Sequence, residues 1–525
     1  MMILSAPVHP IWLAHQQRWT AIYEQRLSER LRWAIAYVQQ QTPPQVRDHF
    51  DSLLALLRAT HARSALHPIA LELIAALHPW PVRWGQWEAW EQQLRFAITS
   101  AEQRHLPEFH LKFLAELAAM LSASAHQYDA RLLSEQALTL ARRQHAVQPW
   151  AVAGAAQLAA ILKRGEIDRA ITLLAQLDLD WPELAAAASE ADRVNARALI
   201  DFQRIDLLTR RGEPTALAAC RDLIAALKSQ PTVELELLAE AYSTLGISLY
   251  RYEEYPPALE ALERAIELRA QTHDPVQEVH ERMNIGLVAL SGGALEKSAD
   301  ALEQGAALAE RLNLRRWVYT TLSTLSGVYL AQGRLDTARD RVNRAVRLAE
   351  EAGDPIEIAR AINNRAAIWL HRGQFDNAWR DFHTFQSQFY AQARLAVQLG
   401  LCLNLALGYF RLGEITKAEE SVRRALELGR PAKRGLELLA DRLLALWRPR
   451  AESEVLLRQA LLIARQIHRR LDEAACLLSL SAVVESESER TAMWQAGTHL
   501  LKQCGASAWL TGCSPDNPPF VPMIF

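Results

Sequence analysis

Several clusters in the chain hold residue types that catalysis and binding use. The stretch SGGALEKSAD, residues 291–300, sets glycines beside Lys297 in the manner of a phosphate-cradling loop. Such a loop needs glycine directly before its lysine and a strand ahead of it. Glu296 precedes Lys297, so nucleotide binding is not indicated. His61 with His67, and His105 with His110, are candidate metal ligands by type, but they lack the HExxH spacing and any nearby carboxylate pattern. Cys504 and Cys513 flank GASAWLTG without a histidine motif that would activate a thiolate. Trp84, Trp87 and Trp90 recur at three-residue spacing, roughly one helix face, and read as bulky packing rather than a ligand platform. With no triad, carboxylate dyad or cofactor loop, the expectation is no catalytic residue, no cofactor, no metal and no enzyme.

Asparagines are a candidate of another kind. A side-chain amide carries two donors and an acceptor, so it can hold a peptide backbone from either side. Asn284, Asn364 and Asn404 are the residues of interest, with His280 and Arg360 each four positions ahead of an asparagine. Arg251, His371 and Arg411 add cations or potential cations that would favour an acidic or carboxylate-bearing partner.

What places these residues together is a period of forty. LGISLYRYEEYPPALEALERAIEL begins at Leu245, IGLVALSGGALEKSADALEQGAAL at Ile285, and LSGVYLAQGRLDTARDRVNRAVRL at Leu325. RAAIWLHRGQFDNAWRDFHTFQSQ follows at Arg365 and LALGYFRLGEITKAEESVRRALEL at Leu405. A small column (Gly246, Gly286, Ser326, Ala366, Ala406) is answered twelve positions later by another (Ala258, Ser298, Ala338, Ala378, Ala418), which permits close helix approach. Large apolar residues stand four further on (Leu262, Leu302, Val342, Phe382, Val422), continuing one helical stripe. Gly293, Gly333, Gly373 and Gly413 mark turns between the two helices, and Asp274-Pro275 and Asp354-Pro355 mark helix starts. In this register Thr244, Asn284, Thr324, Asn364 and Asn404 share one column, with Glu240, His280, Thr320, Arg360 and Gly400 one turn earlier. Asn363 has Ser243, Met283, Ser323 and Leu403 in its column and is set aside.

The pattern resembles the tetratricopeptide repeat, with Tyr329 and Tyr409 in its tyrosine column and Ala378 with Phe382 in its second-helix stripe. A period of forty instead of the usual thirty-four is similar to arrays in kinesin light chain and in bacterial signalling-ATPase sensor domains. The resemblance implies an all-α, right-handed superhelical solenoid of antiparallel helix pairs whose first helices line a concave, peptide-binding groove. Peptide-binding members grip a C-terminal carboxylate with asparagine at the inner position and a cation at the outer one. Arg360, Asn364 and Asn404 look like part of that clamp, whereas Gly435 and Leu439 stand where further cations would be expected.

About eleven pairs are expected. Residues 1–65 read as an N-terminal helical cap, 66–198 as divergent repeats, 199–430 as the regular array and 431–508 as C-terminal pairs. LDLDWPELAAAASEAD reads as a longer loop. Residues 509–525 form a proline-rich apolar tail in which Phe520, Val521, Met523, Ile524 and Phe525 are too apolar for solvent; a second interaction hypothesis has Pro518 to Phe525 fold back to occupy the groove or cover the last pair. A formal charge of -2 argues against nucleic acid as the principal partner. No membrane span or export segment is read, and the five cysteines show no framework, which fits a reducing cytoplasm. Only seven of the 58 basic residues are lysine, which points to a GC-rich bacterial genome. The expected function is a non-enzymatic scaffold or adaptor that binds a peptide or protein segment. The alternatives are a sensor or regulatory arm working with a signalling ATPase or transcription regulator, and an enzyme with an unrecognised site.

Overall fold

The computed structural model describes residues 10–123, 127–186, 188–230, 234–429 and 434–523. Expectations placed on residues 1–9 and on Ile524 and Phe525 lie outside the described residues. Among the described residues every regular element is helical, apart from one isolated bridge between Ser514 and Asn517. None of the helices is long and apolar enough to cross a membrane. The chain forms two compact units, one of residues up to 237 with 271–274, the other of 238–270 with 275 onward.

The first unit opens with α1 (Pro10–Gln40), α2 (Pro43–Asp48) and α3 (Phe50–Arg58), followed by α4 (His67–Leu77), α5 (Trp80–Arg83) and α6 (Trp87–Gln103). Leu31, Leu57, Leu71 and Leu94 join α1, α3, α4 and α6 in a single core. Trp84 and Trp90 are 3% and 0% exposed, and Phe50 meets both rings. The tryptophan series is therefore packing. Next come α7 (Pro107–Ala123), α8 (Gln127–Gln144), α9 (Val147–Lys163), α10 (Ile167–Ala186), α11 (Glu190–Arg210) and α12 (Thr215–Lys228). The expected loop around LDLDWPELAAAASEAD is mostly helix, because α10 runs through Pro182 to Ala186. Its side chains find partners that a loop would forgo. Trp181 packs on Trp150, Leu184 is buried, and Asp178 and Asp180 accept from Arg204 and Arg142.

The second unit keeps strict register. Its first helices are α13 (Leu235–Arg251), α15 (Pro275–Gly292), α17 (Arg315–Ala331), α19 (Pro355–His371) and α21 (Leu395–Arg411). Their partners are α14 (Tyr255–Gln271), α16 (Leu295–Arg311), α18 (Leu335–Ala352), α20 (Phe375–Thr384) and α22 (Ile415–Leu428). The turn glycines Gly293, Gly333, Gly373 and Gly413 sit at φ 82°, 79°, 70° and 78°, in the left-handed region that a Cβ disfavours. Asp354 caps α19 through the Glu357 N–H at 3.3 Å. The small columns do what their spacing suggests. A Cβ at Gly286 would lie 2.4 Å from Leu302 Cγ, and one at Gly246 2.6 Å from Leu262 Cγ. Three positions after the large apolar column, where the other copies have Ala265, Gly305, Ala345 and Ala425, this copy has Phe385, and the chain widens into a π turn over Phe385–Phe389 with Phe385 buried.

Beyond the regular copies lie α23 (Arg434–Leu444), α24 (Arg450–Gln466), α25 (Arg470–Val483) and α26 (Glu487–Gln503). These pairs return to the start of the unit. The Gly435 N–H donates to Glu253 Oε1 at 3.0 Å, and Glu253 occupies, at φ 63°, the turn position where later copies have glycine. One core then joins Leu290, Leu325 and Ile368 of three first helices to Leu471 and Leu478 of α25, Leu501 of α26 and Val521 of the tail.

Candidate functional site

The first helices of the second unit carry the asparagine column, and the structure shows what each member touches. Asn364 Nδ2 donates to the Ser323 carbonyl at 3.0 Å and to Ser323 Oγ at 3.1 Å. Asn404 Nδ2 donates to Asn363 Oδ1 at 3.2 Å. The two amides thus bridge consecutive first helices, α17 to α19 and α19 to α21. Asn363, set apart by its column, is 6% exposed and serves as a link in this ladder. Asn364 and Asn404 are half-buried, and the hydrogen bonds described for both leave through Nδ2. Their amide oxygens are the atoms suited to accept from a ligand N–H.

Asn284 faces a different neighbour. It lies against the carboxyl of Glu281, a fully buried side chain on α15 that also accepts from Ser243 Oγ at 2.9 Å. Burial pushes the Glu281 carboxyl up to about 8; Arg269 opposes that rise and Glu240 adds to it. Arg269, itself 4% exposed, bonds to Glu240. The outer column is equally engaged. Arg360 Nη2 donates to the Thr320 carbonyl at 3.2 Å and pairs with the buried Glu357. His280 packs its ring 5.2 Å from Trp317. Arg251 lies by the Tyr250 phenol. At Gly435, where a clamp cation was expected, a Cβ would fall 2.8 Å from Glu253 Oε1 and displace that side chain; Leu439 is wholly buried.

His371 and Arg411 meet in a second arrangement, at the C-terminal ends of α19 and α21. The His371 ring stacks on Phe520 at 5.8 Å with an 18° tilt and takes Trp509 edge-on at 5.5 Å. The Arg411 guanidinium lies 5.8 Å from the centre of the Phe520 ring. Burial lowers the His371 imidazole to about 3, helped by the positive charges of Arg411 and Arg442. Trp509 Nε1 donates to the Ala331 carbonyl at 2.9 Å, and Arg442 Nη2 donates to the Val521 carbonyl at 2.8 Å. Arg442 is in turn paired with Asp472, which also holds Arg469 at 2.7 Å. Residues 509–523 of the tail fold back, onto the first helices and the final pairs alike. The sequence marks Phe520 as too apolar for solvent but not its partners Trp509 and Arg442, since no short-range pattern joins residues so far apart along the chain.

Other titratable groups have structural explanations. His78 and Glu116 lie 3.6 Å apart in the first unit. Burial drives His78 down to about 3 and Glu116 up to about 8. His61 bonds to Gln93 and His67 to Ser100. Burial raises the Cys504 and Cys513 thiols, the former to about 11, which disfavours the thiolate. Among the described residues no group of three or more His, Cys, Asp or Glu is placed to hold a metal ion.

No family model matches the chain. The regulatory protein AfsR of Streptomyces coelicolor is 30% identical over 112 residues, 21% of this chain and 11% of that protein. The chain thus spans only a small part of AfsR. Among solved structures, a Rap protein complexed with competence and sporulation factor overlays with a TM-score of 0.52 at 13% identity, covering 70% of this chain and 99% of that one. NprR in complex with its cognate peptide NprX gives 0.49 at 14% identity, over 65% of this chain and 99% of that one. The tetratricopeptide-sensor STAND protein of Pyrococcus horikoshii gives 0.48 at 13% identity, over 70% and 53%. With antiparallel helix pairs in a forty-residue register and an overlay spanning nearly all of Rap, the chain has the fold of tetratricopeptide-type helical repeat proteins.

Proposed function

We propose that the chain is a non-enzymatic regulatory interaction protein that binds an extended peptide or protein segment along the first helices of its second unit, in a bacterial cytoplasm. The observation that carries this reading is the amide ladder of Asn404, Asn363, Asn364 and Ser323, which crosses three successive first helices. It offers amide oxygens at intervals set by neighbouring helices, suited to the N–H groups of an extended backbone. Support comes from Rap, whose solved complex holds competence and sporulation factor, and from the 112-residue likeness to a protein named as regulatory. Arg360 is already committed to Glu357, so it favours a carboxylate partner only where that partner displaces the internal pair. His280 and Asn284 extend the site toward α15. His371 and Arg411 border it, and Arg251 belongs to its outer edge.

The test is a double substitution, Asn364→Ala with Asn404→Ala. A partner captured from the native organism with the parent chain as bait should bind the variant about tenfold more weakly by calorimetry, with helicity retained and a lower Tm from the lost interhelix bonds; a loss of about 1.4 kcal/mol corresponds to that factor. Unchanged affinity in a folded variant would remove the ladder from the binding site. A second reading, a regulatory arm working with a signalling ATPase or transcription regulator, is favoured by the AfsR likeness. It predicts that the captured partner carries such a domain.

A further inference from the structure

The segment from Pro515 to Met523 begins in the turn closed by the Ser514–Asn517 bridge, and residues 518–523 then run on without regular structure, with the chemistry of a bound ligand. It contains Pro515, Pro518, Pro519 and Pro522, which have no N–H to give. Its described backbone hydrogen bonds to the rest of the unit are made by carbonyls, Val521 to Arg442 at 2.8 Å and Pro515 to Ser481 Oγ at 3.2 Å. Its remaining anchors are side chains. Phe520 lies between His371 and Arg411, Val521 is 0% exposed, and Asp516 pairs with Arg490 at 2.8 Å. Extended, proline-flanked segments bind this way at aromatic sites, because the chain is pre-ordered and recognition falls to side-chain pockets and carbonyl acceptors.

We infer that the cradle of His371, Arg411 and Arg442 is a peptide-binding site for a proline-flanked aromatic segment, with residues 518–523 as its resident occupant and Ser481 holding the turn that leads into it. This rests on the peptide-binding reading above and names both a partner class and a regulation for it. A partner segment that carries an aromatic residue followed by a small apolar one competes with the resident segment. Until it does, the Trp509 and Phe520 rings hold the C-terminal end of α19 closed. The cradle suits the incoming aromatic because His371 is kept neutral and flat against the ring while Arg411 supplies a cation to it. Arg442 is held in place by buried Asp472, so its donor to the ligand carbonyl is fixed before the ligand arrives.

The experiment uses the full chain and a fluorescently labelled peptide of residues 513–523 as probe. Phe520→Ala in the chain should vacate the cradle, so that the peptide binds at least tenfold more tightly than it binds the parent. Adding His371→Ala to that variant should weaken binding at least tenfold again. Equal affinity for parent and Phe520→Ala, or indifference to His371→Ala, overturns the inference. Should Phe520→Ala fail to fold, the parent with excess unlabelled peptide serves. Amide hydrogen exchange in the peptic fragment covering 513–523 should quicken severalfold, and unchanged exchange at saturating peptide overturns it equally. Loss of partner binding on Asn364→Ala and Asn404→Ala, with no peptide effect at His371, would leave the groove reading standing and remove this one alone.

Discussion

Single atoms set the spacing between paired helices in the second unit. Gly286 faces Leu302 so closely that an added Cβ would sit 2.4 Å from Leu302 Cγ. Gly286→Ala should therefore cost about 1–3 kcal/mol through overpacking, read as a lower urea midpoint for the second unit. Pairing it with Leu302→Ala should return part of that cost, and strict additivity would show that the two residues do not oppose each other. Residues of this kind were legible in the sequence, because a steric requirement repeated every forty positions leaves a column of small side chains. Asn363 was not. Its importance lies in the Asn404 amide of the next first helix, a contact that comparison within a column cannot reveal. The cradle of Phe520 was hidden for the same reason, although the apolar character of the tail announced that it must be covered by something.

Helices carry their own pH signatures. On α15 the buried Glu281 carboxyl is raised to about 8 against an ordinary value near 4.5. The folded state then holds a proton that the unfolded chain releases, so this group's contribution is fully present below pH 4.5 and is lost as pH rises through 8. Glu281→Gln should flatten the stability of the second unit between pH 5 and 8.5, measured by thermal melts across that range; an unchanged slope would show that the carboxylate is ionised in the fold. His371, at the end of α19, acts in the opposite sense. Its value is lowered to about 3 from 6.5, so its contribution is present above pH 6.5 and is lost as pH falls toward 3. Exchange of the 513–523 amides, corrected for the intrinsic pH dependence of exchange, should show less protection at pH 5 than at pH 7.5, and His371→Phe should remove that difference. Element boundaries were well marked where glycine and Asp-Pro punctuate the chain. They were misjudged at α10, where Trp181 and Leu184 find partners that keep the helix going through Pro182.

At the scale of the molecule, the two units are held by different means. The first relies on an apolar core rich in leucine and tryptophan. The second adds a buried ionic knot, in which Arg442 and Arg469 share Asp472 and all three are 5% exposed or less. Arg442→Leu should lower the stability of the second unit by about 3–5 kcal/mol, since it leaves Asp472 short of a buried partner and the Val521 carbonyl without its donor. Raising salt should not reproduce the loss, because a pair excluded from water is poorly screened; a salt effect comparable to that of the substitution would show the knot to be solvated.

The hydrogen bond from Gly435 to Glu253 has an evolutionary corollary. An open array can gain or shed a copy at little cost, since each copy answers only to its neighbours. An array whose sixth pair touches the turn of its first has to count. Excising residues 315–354, one full period from the start of α17 to the start of α19, would preserve local packing rules while carrying Gly435 out of reach of Glu253. The contact thereby fixes the number of copies between them, and lineages of this chain should vary in the composition of their repeats far more freely than in how many they keep, which comparison of their sequences would check.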